Sequence, residues 1–350
     1  MTLASRTGTE INTRDIAVGL LRRGHQPVVY SPQLGDMADE IRAATVPVVD
    51  DLTSIAAVPE VIHGHHHTPT MTALLRFPGV PALFFVHDWA GWMDEPLRFP
   101  RVQLYVPVDA TNRDQLELEH GIPAERIRLV LNAVDLERFV PRPPLPPRPR
   151  RALVFSNYAA QGGHLAALRE ACASAGLELT VVGAGVGNSA VRPESVLPGF
   201  DLVFAKGRCA LEALAVGCAV VLCDVHGLGT MVSSLELPRL RALNFGRRAL
   251  QRPVTGAAVA AEIARYDAAD AAAVSATVRA EAGLERQLDH LLGLYEEAIG
   301  LGAAATDDPV REGEAAARYL QRWLPRFGPP ATSPSVRGVV VLEAREVVAL

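Results

Sequence analysis

Two cationic side chains flank a glycine, with a glutamate four residues further on, in Phe204-Ala-Lys-Gly-Arg-Cys-Ala-Leu-Glu212. Lys206 is the only lysine of the chain, so 33 of its 34 basic residues are arginine. A genome drifting toward arginine codons accounts for that bias. Among 34 basic positions, a lysine left at random would fall on one of the two in this stretch about once in seventeen. An ammonium makes a point contact with an anion and a guanidinium makes a fork, so the two groups are not interchangeable.

Histidine supplies the second concentration of chemistry. His63, His65, His66 and His67 lie in Glu60-Val-Ile-His-Gly-His-His-His67, and His87-Asp88 closes the apolar run ALFFV. Alternating histidines on a strand face one side, as a zinc site needs. No acidic residue stands at a spacing that would complete such a site, so the expectation is no metal. Lining a cleft and plain structural packing are the other two readings of these rings. Gly183-Ala-Gly-Val-Gly-Asn188 has the look of a phosphate loop, a pattern too common to stand alone.

These residues hang on an alternating chain. QPVVYSP, VPVVD, EVIHGH, ALFFVHD, VQLYVPV and IRLVLNA read as strands, with helices such as 12–23 between them. After the spacer Pro141-Arg-Pro-Pro-Leu-Pro-Pro-Arg-Pro149 the alternation restarts with RALVFSN, a helix over 163–175, LELTVVG, FDLVFA, a helix over 210–216 and AVVLCD. Strands alternating with helices imply parallel sheets, and a proline-rich spacer is neither helix nor central strand. The expected class is α/β, with two Rossmann-like domains facing a cleft. The expected boundaries are 1–140, a linker 141–150, a second domain 151–280, C-terminal helices 281–325 and a tail 326–350. Leu284, Leu288, Leu291, Leu292 and Tyr295 share one helical face, which should cross back to the first domain. Only MTLAS precedes the first helix, so the central first strand is largely missing, and a start codon upstream of Met1 is the expectation.

At 350 residues and 49% hydrophobic, the chain has material for two cores. The net charge of −5, with no basic cluster, argues against nucleic acid. No apolar run nears the roughly 18 residues that span a bilayer, and the polar N-terminus is no signal peptide. A cytoplasmic protein follows, with peripheral contact to the inner membrane face left open. Cys172, Cys209, Cys218 and Cys223 lack CxxC spacing and read as buried free thiols.

Over roughly residues 6–300 the chain resembles retaining family 4 glycosyltransferases of the GT-B architecture. Gly8-Thr9-Glu10 before the first helix is similar to the family's glycine-rich loop. Glu60–His67 resembles its "DVIHxHH" and Phe84–Asp88 its strand ending in His-Asp. Leu131-Asn-Ala-Val-Asp-Leu-Glu-Arg-Phe139 resembles "V-N-G-V-D-x-x-x-F", and Leu211–Val221 resembles "LEAMACGxPVV". The resemblance implies a nucleotide-sugar donor on the second domain, an acceptor (glycan, lipid-linked or small molecule) on the first, and no cofactor. It implies a donor site of Gly8, Thr9, Asn157, Gly183, Gly185, Lys206, Gly207, Arg208, Glu212, Gly227, Leu228 and Gly229. Glu212 would accept hydrogen bonds from ribose hydroxyls, or stabilise the first helical turn. The open loop Val225–Thr230 would offer backbone N–H groups. Glu10, His65, His66 and Asp88 fall on the acceptor side. Two departures matter: Phe204 stands where the family's first acidic residue belongs, and Ser156–Gly163 lacks the usual Arg and Lys. Lys206 and Arg208 could replace that pair on the departing diphosphate and, with His87, form the expected catalytic set; solvated surface residues are the alternative. A non-catalytic nucleotide- or glycan-binding relative, a partner subunit and a nucleotide-sugar epimerase are the rival functions.

Overall fold

A computed structural model describes residues 3–4, 6–159, 163–188, 190–306 and 308–327. Residues 1, 2, 5, 160–162, 189, 307 and most of the expected tail, 328–350, lie outside the described residues. The described residues fall into two compact units, one within 3–97 and 101–306, the other of 98–100 with 308–327.

The first half of the larger unit runs α1 (Gly8–Arg22), β1 (Val29–Tyr30), α2 (Asp36–Ala43), β2 (Val48–Val49), β3 (Ile62–Gly64), α3 (His67–Arg76), β4 (Ala82–Val86), β5 (Val102–Pro107) and α4 (Ala110–Asp114). Among the described residues its strands form two parallel sheets, β1–β2 and β3–β4–β5. Near the expected first strand, Leu3 makes one isolated parallel bridge, to Leu34. The sixth expected strand, IRLVLNA, does not form. Ile127 only bridges Tyr105, and Arg128 and Val130 donate N–H groups to the carbonyls of Tyr105 and Pro107 at 3.0 and 3.1 Å. Pro107 has no N–H to return, which interrupts the ladder.

The second half comprises β6 (Arg151–Phe155), α5 (His164–Ser174), β7 (Glu178–Val182), α6 (Pro193–Val196), β8 (Leu202–Ala205), α7 (Gly207–Val216), β9 (Ala219–Asp224), β10 (Gly227–Met231), α8 (Leu237–Ala242), α9 (Gly256–Ile263), α10 (Ala268–Glu281) and α11 (Leu284–Ala304). Its five-stranded sheet has the order β10-β9-β8-β6-β7, parallel except for β10. Every residue of β8 and β9 is buried, as strands covered by helices on both faces must be. Residues 141–149 contain no helix or strand and are tied to this half through Arg142, whose guanidinium meets Asp201 at 3.0 Å. All four cysteines are free, three of them buried and Cys209 half-buried. The smaller unit holds α12 (Pro309–Phe327).

Helix α11 returns to the first half and buries Leu288, Leu291, Leu294 and Tyr295 with Ile16, Leu83 and Phe85. The crossing with α1 is close: a Cβ on Gly19 would lie 2.4 Å from a Leu288 methyl. Leu288 is fully buried there, so Leu288→Ala should cost ~2–5 kcal/mol by opening a cavity between α1 and α11. A urea titration measures the loss, and a smaller shift than about 1 kcal/mol would mean that the helices close the gap.

Candidate active site

The chain leaves β6 to build β7 on one side and β8 on the other, so strand order reverses at β6 and β8. A crevice opens beyond the carboxyl ends of strands at such a point, and α/β sheets bind ligands there. Lys206 follows β8 directly. Its Nζ sits 3.0 Å from Oδ2 of Asp224, the last residue of β9, and 5.3 Å from the ring centre of Tyr158. Ser156, beyond β6, donates from Oγ to Asp224 Oδ1 at 3.3 Å. Asp224 is fully buried while the lysine side chain keeps 26% exposure, so a buried carboxylate anchors a cation that still reaches solvent.

The loops after β6 and β7 are joined by Asn157, whose Oδ1 accepts from Ala184 N–H at 3.1 Å and whose carbonyl accepts from Gly185 N–H at 3.0 Å. A Cβ on Gly183 would stand 1.9 Å from the Ser156 carbonyl oxygen, so only glycine fits. Across the cleft, Asn157 Nδ2 donates to the Arg6 carbonyl at 3.5 Å, just before Gly8 and Thr9 open α1. The fold therefore gathers Gly8, Thr9, Asn157, Gly183, Gly185 and Lys206.

Arg208 is placed differently from a free phosphate ligand. Its guanidinium is buried and bonded to Glu212 Oε1 at 2.8 Å and to Asp15 Oδ2, from α1 of the other half. Asp15 also meets Arg14 at 2.7 Å and Arg138 at 3.7 Å. Burial pulls the Arg208 pKa down, but Asp15 and Glu212 outweigh burial and hold it above its ordinary value. Glu212 is thus engaged with arginine. Gly207, at φ 55°, gives its N–H to the Phe245 carbonyl at 2.8 Å. Asn244 and Phe245 take φ of 51° and 53°, a left-handed pair that aims this carbonyl at the start of α7.

The expected open loop at Gly227, Leu228 and Gly229 is instead β10, folded back on β9. Leu228 exchanges backbone hydrogen bonds with Arg252 at 2.7 and 3.1 Å, so its N–H is not open to a ligand. A Cβ on Gly229 would meet the Ala249 carbonyl at 2.8 Å, so glycine allows β10 to lie close against this segment. A cavity of about 420 Å³ adjoins it, lined by Gly163 and His164 at the start of α5 and by His226, Gln251 and Arg252 among others.

On the facing sheet the histidines form a half-buried network. His65 Nδ1 and His87 Nε2 are 2.8 Å apart, and His63 Nδ1 lies 2.6 Å from the Tyr295 hydroxyl, its ring stacked on Phe85 at 4.1 Å. His66 precedes α3, and His67 is its first residue. Burial pushes these imidazoles down, to about 3 for His63 and His66 and about 4 for His87, with His65 also well below its usual value. Neutral rings donate at one nitrogen and accept at the other. Asp94 accepts the His87 N–H at 2.9 Å, and burial raises its carboxyl to about 7. Glu10 is buried and accepts from Thr7 Oγ1, whereas Asp88 is exposed in the cleft. Phe204, in the place of the family's first acid, is wholly buried in β8.

Parallel sheets from two halves, with α1 and α7 facing across one cleft, define the GT-B class. The family described as Glycosyltransferase Family 4 matches residues 6–138, so the first half of the chain is similar to that family. A glycosyltransferase from Rickettsia africae ESF-5 superposes with a TM-score of 0.62 at 16% identity, over 83% of this chain and 95% of that one. HepE from Anabaena, solved with UDP and glucose, gives 0.57 at 14% identity over 84% and 98%. Sucrose-phosphate synthase from Thermosynechococcus elongatus gives 0.57 at 16% identity over 86% and 95%. No curated protein matches significantly. Among the described residues no helix is long and apolar enough to cross a membrane.

Asp15, Asp224 and Tyr158 carry no local signal because each acts through a partner far along the chain, and Asp94 carries none because it accepts from a backbone N–H, that of His87. Asn244 alone carried a signal, since asparagine tolerates positive φ. Arg208→Met should strand Asp15 and Glu212 and cost about 3 kcal/mol in urea unfolding; an unchanged midpoint would mean that the cluster contributes no net stability. Unfolded histidines take up protons near pH 6.5, while the folded ones resist down to pH about 3 to 4, so their stability is present above about 6.5 and lost as pH falls. Asp94 acts oppositely, its penalty growing as pH rises from 3.8 to about 7, but it is one group against four. The midpoint should therefore drop from pH 7 to pH 5, and His63→Phe should flatten that slope.

Proposed function

We propose that the protein transfers a sugar from a nucleotide-sugar donor to an acceptor, without a metal and with retention of anomeric configuration. The observation that carries this reading is Lys206, a partly exposed ammonium held 3.0 Å from buried Asp224 at the switch point of the second sheet. A departing nucleoside diphosphate gains negative charge, and a preorganised cation lowers the energy of that charge where it develops. Lys206 can turn from Asp224 to a phosphate oxygen without leaving its strand end. The UDP and glucose in the HepE structure favour a nucleotide-sugar donor of this kind.

Arg208, engaged by Glu212 and by Asp15, acts in this scheme by holding α1 and α7 together. Glu212 can offer ribose hydroxyls whatever lone pairs Arg208 leaves. His87, with a pKa of about 4, is a poor proton donor at neutral pH but a good neutral hydrogen-bond partner for a sugar hydroxyl, its other nitrogen being set by His65. Asn157, Gly183 and Gly185 would form the wall beside the nucleotide.

Calorimetry with UDP, GDP, dTDP and their sugars tests the reading, and binding by none of them would sink it. Lys206→Arg keeps the charge and changes its shape; donor turnover should fall about tenfold or more, as the loss of one charge-assisted contact implies. A second reading, a nucleotide- or glycan-binding protein without turnover, is favoured by the buried phenyl ring of Phe204 in the acidic position. Tight nucleotide binding with neither transfer nor donor hydrolysis would select it.

A further inference from the structure

A smaller cavity of about 210 Å³ lies between the two halves, lined by Trp89, Thr111, Arg247 and Arg248. Its arginines differ. Arg248 meets Asp114 at 2.5 Å, and Asp114 is also 3.3 Å from Arg113. Arg247 is exposed, forms no ion pair among the described residues, and has the ring of His226 at 3.3 Å as its contact. His226 loses basicity through burial and then through Lys206 and Arg247, the response of an imidazole between two cations. One wall is indole: Trp89 is 36% exposed at the end of the His87-Asp88 segment, and its carbonyl accepts from Gln115 Nε2 at 3.0 Å. The Oγ1 of Thr111 is buried without a hydrogen-bond partner. An open aromatic face and an exposed guanidinium whose one contact is the His226 ring thus meet in a space the size of one sugar ring. Aromatic faces stack on the C–H faces of sugars, and a fork binds a planar or tetrahedral oxyanion in bidentate fashion.

We propose that this pocket is an acceptor subsite for a negatively charged sugar, Trp89 stacking on the ring and Arg247 holding its carboxylate or phosphate. The assignment rests on the transferase reading for the word acceptor, but the binding it asserts does not need turnover. Lys206 and Asp224 hold the donor end of the same cleft.

The full chain, first alone and then saturated with whichever of UDP, GDP and dTDP binds, is titrated with hexuronates, hexose 6-phosphates, the matching neutral hexoses and inorganic phosphate. Ligand-observed NMR gives affinities, and the indole signal assigned through Trp89→Phe reports stacking. A charged sugar should bind at least about tenfold more tightly than its neutral counterpart, with the nucleotide in place, and shift the Trp89 signal. The uronate and phosphate arms decide which oxyanion is meant. Arg247→Gln, an exposed substitution, should reduce charged sugars to the neutral level and leave nucleotide affinity unchanged. The inference is overturned if no charged sugar is preferred, if inorganic phosphate binds as tightly as the sugar phosphates, or if Arg247→Gln weakens the nucleotide instead. Failure of every nucleotide beside normal charged-sugar binding would sink the transferase reading and leave the pocket standing.

Discussion

A guanidinium buried between two carboxylates is stable only while both remain in place, because removing either leaves charge in a medium that cannot solvate it. Arg208 imposes that condition on this fold. One carboxylate, Glu212, is on its own helix a turn away, and the other, Asp15, is on α1 of the opposite half. The distance between the halves at this point is thereby set by hydrogen-bond length. The same helix start is held from behind by the Phe245 carbonyl on Gly207, through backbone angles that ordinary residues avoid. What faces the cleft beside it, above all Lys206, inherits this rigidity.

The cleft has two electrical characters. The second half contributes cations: Lys206 over Asp224, and Arg247 beside His226. The first half contributes imidazoles that burial keeps neutral, paired with one another, with Tyr295 and, through the backbone, with Asp94. Neutral rings suit hydroxyl groups and free cations suit phosphates or carboxylates, so one wall matches a sugar and the other its charged appendages.

Some of this was legible before any coordinates. Phe204–Val221 alternates an apolar run, a glycine-opened helix and another apolar run, and covered parallel strands leave few other options. The return of α11 was readable because Leu288, Leu291 and Tyr295 repeat at helical spacing. Two features misled for identifiable reasons. IRLVLNA has strand composition, but its partner strand ends in a proline that cannot donate. Val225–Thr230 has loop composition, but glycine also allows the close approach by which β10 is strapped to residues 249–252.

Chemistry carried by one residue type in one local pattern was determined by the sequence itself: the alternating α/β elements, the solitary lysine at a helix start, the histidines at strand ends. Periodicity and composition act over a few residues, and they suffice for that. Which charge is enclosed and which still reaches solvent was decided only by tertiary structure. Arg208 and Lys206 look alike in the chain, yet one is enclosed by Asp15, 193 residues away, and the other, paired with Asp224, stays partly exposed. Ion pairing depends on distance through space, and no local pattern encodes it.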